Sequence, residues 1–183
     1  SSVPTASTVP NGVAAQMLLD DEAFRAWVVR TYGASMRLAQ RIVANEADAA
    51  DAVQESYVRA YAALRSNQFR SGEEALAPWL RSIVTRASLD ALRARRRLRE
   101  ESDAPIEQLA APTAADACVD RASLERAILD LPTDQRTAFV LREIEGFSLK
   151  ETAEQLGCTV GAVEQRILRA WAGLKRRLSD ESR

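Results

Sequence analysis

Histidine is absent from the 183-residue chain, which removes the commonest general base and the commonest metal ligand. Cysteine occurs only as Cys118 and Cys158, far apart and with no CxxC pair. Neither a zinc cluster nor a disulfide framework is indicated, and a reducing compartment fits. Glycine and proline are scarce, at 7 and 6 residues, whereas Ala, Leu, Arg and Glu, which lose little freedom in a helix, are abundant; an all-α fold is predicted. No apolar run approaches the roughly 20 residues of a bilayer span, and the first residues lack the basic start and apolar core of a signal peptide. A soluble cytoplasmic protein without membrane insertion is therefore expected. A Gly-rich phosphate loop, a nucleophile-base pair and a metal-ligand cluster are all missing from the sequence, so no enzyme, cofactor or metal is expected.

Charge is present in quantity but nearly balanced, with a net charge of −1. Its distribution is informative. From Arg81 to Arg99 seven arginines face Asp90 alone, and from Glu100 to Glu125 seven acids face Arg121 alone. A second basic stretch, Arg166, Arg169, Lys175, Arg176 and Arg177, lies near the end, with Glu164 beside it. Two separate basic helices are the footprint of a polyanionic partner.

Residues 1–19 are rich in Ser, Thr, Pro and small residues and are expected to be a disordered segment that includes a processing or cloning remnant. Two small helical domains, 20–99 and 124–183, then flank a flexible acidic linker, 100–123, whose prolines and alanines show no sustained period. In the first domain Phe24, Trp27, Val28, Met36, Leu38, Ile42 and Val43 recur at helical spacing, with Gly33 marking a bend. Asp48 is placed to cap a second helix running to about Leu64, with Ala52, Val53, Ser56, Tyr57, Ala60 and Tyr61 on one stripe and Asp51, Gln54, Glu55 and Arg59 opposite. After a loop at 66–72, Pro78 opens a long third helix that buries Trp79, Leu80, Ile83, Val84, Ala87, Leu89 and Leu92 and ends almost purely as Arg.

In the second domain Pro132 separates two helices and Gly146 ends the second. Ser148 and Glu151 form a capping-box signature. Thr152 to Val163 reads as a helix-turn-helix: Ala153 permits close helix crossing, Gly157 a left-handed turn, and Leu156 and Val163 close the core. The last helix carries Val163, Ile167, Leu168, Ala170, Trp171 and Leu174 as its apolar residues, and presents Glu164, Gln165, Arg166, Arg169 and Lys175 to a major groove and its phosphates. Trp79 and Trp171 are both read as core. In the 66–72 loop, an exposed Phe69 beside Asn67, Gln68 and Arg70 has the chemistry to stack and read an unpaired base.

Together these segments resemble a family. Asp48-Ala-Ala-Asp-Ala-Val-Gln-Glu-Ser-Tyr-Val-Arg-Ala-Tyr61 is similar to the second conserved region of extracytoplasmic-function (ECF) sigma factors, continued by Pro78-Trp-Leu-Arg-Ser-Ile83 and Leu89-Asp-Ala-Leu-Arg-Ala-Arg-Arg-Arg97. Leu131 to Ser148 and the helix-turn-helix resemble the fourth region. The resemblance implies a non-enzymatic subunit that binds core RNA polymerase and directs promoter-specific initiation, serves a stress response and is held by an anti-sigma factor. It implies core docking through Asp51, Gln54, Glu55 and Arg59. It further implies minus-ten DNA contacts by Asn67, Gln68, Phe69, Arg70, Arg86 and Arg93, and minus-thirty-five contacts by Glu164, Gln165, Arg166, Arg169 and Lys175. Two departures, Thr85-Arg86 where the family often has Asn, and Ala162-Val-Glu-Gln-Arg166 where it often has Thr-Val-Lys-Ser-Arg, leave the promoter sequence open. The alternative is a stand-alone helix-turn-helix regulator, which makes no use of the Gln54-Glu55 helix or of two basic segments.

Overall fold

In a computed structural model, residues 20–66, 68–69, 72–101 and 121–181 are described, and among them all regular structure is helical. The first domain consists of α1 (Asp21–Val43), α2 (Glu46–Arg65) and α3 (Leu76–Glu101), the last preceded by a 3₁₀ turn at Glu73–Ala75. The second consists of α4 (Arg121–Leu129), α5 (Thr133–Phe139) running into a π-helical turn (Val140–Ile144), α6 (Leu149–Leu156) and α7 (Val160–Glu181). The C-terminal helix thus starts at Val160, and α4 starts at Arg121, inside the stretch expected as linker. Most of that stretch, and all of the N-terminal segment 1–19, lies outside the described residues.

Local chemistry explains where the helices begin and end. Asp20 in extended backbone accepts from the Ala23 amide at 3.1 Å, and Asp21 and Glu22 oppose the positive end of the helix dipole. Helix α1 runs through Gly33, where a bend was expected. A helical glycine costs only about 1 kcal/mol, less than the burial of Trp27 on one side and of Leu38, Ile42 and Val43 on the other contributes. Asn45, not Asp48, caps α2: its side chain accepts from the Asp48 amide at 2.9 Å. Asp48 instead accepts from Arg95 of α3 at 2.9 Å. Pro78 falls in the first turn of α3, where its missing N–H leaves no bond unmade.

Helices α1, α2 and α3 pack on one another around Trp27, Leu38, Ile42, Val53, Leu64, Leu80 and Val84. Tyr57 is buried among them with its hydroxyl satisfied by Thr31 at 2.8 Å and Ser35 at 3.1 Å. The same buried cluster continues without a break into Ile128, Leu131, Phe139, Leu141 and Leu174 of the second domain. A smaller cluster, Ala138, Ala153, Val163 and Ile167, lies beneath the helix-turn-helix.

Candidate polymerase and nucleic-acid interfaces

On α2 the buried side chains are Ala49, Ala52, Val53, Ser56, Tyr57, Ala60 and Leu64. Asp51, Gln54, Glu55 and Arg59 are left exposed on its other side. Arg59 Nε donates to Glu55 Oε1 at 2.8 Å and its Nη1 lies 3.6 Å from Asp90 of α3. These contacts raise the Arg59 guanidinium further above its ordinary value, the Glu55 hydrogen bond foremost. Beside this polar strip the structure reveals an apolar groove of about 480 Å³ between α1 and α2, lined by Phe24, Val28, Tyr32, Gln54, Val58 and Tyr61 among others. The sequence reading missed its apolar wall. The available signal was Val58, an apolar residue outside the buried stripe of α2 and 58% exposed.

At the α2–α3 connection, Asn67 and Arg70 lie outside the described residues. Gln68 is exposed, but Phe69 is not the exposed aromatic expected from the sequence: it is 5% exposed and packs against Trp79, the rings tilted by 43° with centroids 4.6 Å apart. The apolar ring gains more by burial against Trp79 of α3 than it could in water. Arg86 and Arg93 are exposed on α3, seven residues apart and so on one side. Arg93 Nη1 donates to Asp90 at 2.9 Å, and its Nη2 donates to the backbone carbonyl of Gln155 on α6 at 3.3 Å.

The helix-turn-helix is built as its sequence requires. Ser148 accepts from the Glu151 amide while Glu151 accepts from the Ser148 amide, closing the capping box and holding the Glu151 carboxyl below its usual range. Gly157 ends α6 at φ +63°, a left-handed conformation that glycine adopts at no steric cost. Thr159 then accepts from the Ala162 amide at 3.2 Å, capping α7.

On α7 the buried stripe is Val163, Ile167, Ala170 and Leu174. Trp171, read from the sequence as core, and the apolar Leu168 each sit one residue and so about 100° off it, and are 51% and 62% exposed. Trp171 meets Phe139 of the core edge-on, with ring centroids 5.1 Å apart. Glu164, Gln165, Arg169 and Lys175 are exposed. Arg166 turns inward instead: its Nη1 donates to Cys158 Sγ at 3.3 Å and its Nε lies 3.7 Å from Asp134.

A three-helix unit with an acidic second helix and an Arg-rich third, followed by a domain ending in a helix-turn-helix, defines a transcription-initiation factor of the sigma-70 class. Family profiles agree on both halves, Sigma-70 region 2 over residues 27–98 and Sigma-70 region 4 over residues 121–172. The ECF sigma factor SigM of Mycobacterium tuberculosis is 34% identical over 167 residues, covering 91% of this chain and 82% of SigM. The sigma-H factor of Pseudomonas aeruginosa is 35% identical, covering 82% of this chain and 83% of that one. Among solved structures, RpoE of Bartonella quintana in complex with the anti-sigma factor NepR matches at a TM-score of 0.61 with 28% identity, covering 86% of this chain and 98% of RpoE. CnrH in complex with the cytosolic domain of CnrY matches at 0.55 with 29% identity, covering 93% and 97%. The chain belongs to the ECF sigma factors, which direct transcription initiation and are not enzymes. No helix among the described residues is long and apolar enough to cross a membrane.

Proposed function

We propose that residues 20–99 dock core polymerase and engage the minus-ten element, that 124–183 read the minus-thirty-five element, and that the protein works in the cytoplasm, where its polymerase is. Core docking uses Asp51, Gln54, Glu55 and Arg59. Minus-ten contact uses Arg86 and Arg93 with the polar loop residues Asn67, Gln68 and Arg70, while Phe69 is packed against Trp79. On α7, Glu164, Gln165, Arg169 and Lys175 face DNA, and Arg166 positions the turn through Cys158 and Asp134.

The observation supporting this reading best is the division of α7, in which Val163 and Ile167 are buried while Gln165 and Arg169 remain free-standing on the surface beyond a capped turn. A charged stripe with that support is what a recognition helix requires. Because RpoE and CnrH were each solved with a partner, NepR and the cytosolic domain of CnrY respectively, an anti-sigma factor is proposed as the regulator here, in a stress-response setting.

The deciding experiment adds the full chain to core polymerase and a randomised promoter library. Transcription from a defined subset of promoters, lost with Asp51→Arg plus Glu55→Arg, is expected. Sequence-specific DNA binding with no stimulation of core polymerase would instead establish a stand-alone regulator.

A further inference from the structure

Apart from the surfaces proposed for polymerase and DNA, a recess of about 640 Å³ lies between α1 and α4. Arg37, Gln40 and Arg41 of α1 line one side, and Arg121, Glu125 and Leu129 of α4 line the other. Helical spacing explains why these side chains gather. Arg37 and Arg41 are four residues apart, as are Arg121, Glu125 and Leu129, so each set stands on one face of its helix.

Three guanidiniums therefore surround one carboxylate, and only one of them is bonded to it. Arg41 Nε donates to Glu125 Oε2 at 2.9 Å, and its Nη2 makes a second bond to Glu125 Oε1, a two-pronged pairing. Arg41 Nη1 also lies 4.0 Å from Glu145, which does not line the recess. The Arg37 and Arg121 side chains have no hydrogen-bond or ion-pair partner among the described residues, and both are exposed. Both add positive charge around Glu125 all the same. Like charges brought together raise each other's energy, a cost that a bound anion removes.

The lining holds two more positive charges than negative ones, which matches a dianion. Planar guanidinium forks pair naturally with phosphoryl oxygens. A bare phosphate fills only a small part of the recess, whose volume falls in the range of sites for small organic ligands. A nucleic-acid strand suits it less well. The sequence leading into Arg121 is acidic, with seven acids from Glu100 to Glu125, and a polyanion running past the start of α4 would meet that stretch.

We propose that this recess binds a phosphorylated small molecule of nucleotide size. Arg37 and Arg121 clasp its phosphoryl group from the two helices, Gln40 offers its side-chain amide, and Leu129 packs against the organic part. Arg41, by holding Glu125, keeps that carboxylate from repelling the ligand. None of these residues belongs to the surfaces assigned to polymerase or promoter, so the site stands independently of those assignments.

The test is titration calorimetry on the full chain at constant ionic strength. The probes are inorganic pyrophosphate, a nucleoside 5′-diphosphate, succinate and a single-stranded oligonucleotide with a 5′-hydroxyl end. Arg37→Gln and Arg121→Gln alter exposed side chains, so helicity and melting are expected to stay as in the wild type, and Arg30→Gln, at another exposed arginine of α1, is the control. Pyrophosphate is expected to bind saturably and the nucleoside diphosphate more tightly. Each of the two recess variants should weaken both by about tenfold, the loss of a charge-assisted bond, while Arg30→Gln changes neither.

No saturable binding of either phosphate compound at millimolar concentration overturns the site, and so does an equal loss in Arg30→Gln, which reports general basicity alone. Succinate bound as tightly as pyrophosphate overturns the phosphoryl class. A nucleoside diphosphate bound no more tightly than pyrophosphate overturns the nucleotide size. An oligonucleotide whose binding falls in Arg37→Gln, with pyrophosphate left unbound, makes the recess a nucleic-acid contact and overturns the small-molecule site.

Discussion

Arg136 places a full positive charge where only 5% of the residue is exposed, and spends its hydrogen bonds on the carbonyls of Ile42, Leu129 and Leu131. Burial lowers the guanidinium from its ordinary value without discharging it. Removing it strands three buried carbonyls, each a costly omission. Arg136→Met is expected to lower stability by about 2–4 kcal/mol in urea unfolding, with little recovery in Arg136→Lys, whose ammonium lacks the planar fork. Ala44 offers the opposite case. It terminates α1 in the left-handed region at φ 52°, which costs an L-residue about 1–2 kcal/mol. Ala44→Gly is expected to stabilise the fold by about 0.5–1 kcal/mol in the same assay, the larger unfolded-state entropy of glycine offsetting part of the relief.

Among the elements, the capped α6–α7 unit is the most fully specified by its own sequence. The Ser148–Glu151 box, Gly157 and the small Ala153 fix entry, exit and crossing, so Ser148→Ala is expected to cost about 1 kcal/mol. The face of α7 is expected to divide its labour. Arg169→Ala should weaken all DNA sequences alike and reduce the salt slope by about one, whereas Glu164→Lys should change base preference; binding to a randomised upstream element over a salt series measures both. Where reading by element failed, side-chain periodicity was too coarse. Trp171 and Leu168 are apolar and next to the buried stripe, and only the packing of α5 against α7 shows that the stripe ends at Ala170 and Leu174. Phe69 erred in the other direction, since a loop residue has no period, and its burial depends on where Trp79 stands.

For the molecule as a whole, two carboxylates at the domain junction respond oppositely to pH. Glu125 accepts from Arg41 and is held below the ordinary carboxylate value. Its stabilising effect is therefore present above that value and lost as pH falls through the lowered one. Glu145 is pushed up by burial, against the pull of Arg81 and Arg41. Stability from this site is present below the ordinary value and lost as pH rises through the raised one. Glu125→Gln is expected to destabilise at neutral pH, and Glu145→Gln to stabilise there. In urea unfolding repeated over an acid pH series, the Glu145→Gln difference should vanish below the ordinary carboxylate range, and the Glu125→Gln difference should shrink as pH falls through the lowered value.

The sequence alone determined the helical class, the helix-turn-helix with its caps and the exposed strip of α2, because caps, turns and helical period are written in residues three and four apart. Tertiary structure decided what depends on contacts between distant residues. It packed Phe69 against Trp79, drew Arg166 to Cys158 and Asp134, opened the groove at Val58, and joined Arg41 to Glu125 and Arg136 to Ile42. An arginine in a sequence declares only its charge. Whether that charge meets a phosphate, a carboxylate or the carbonyl at a helix end is settled by which surface the rest of the chain folds against it.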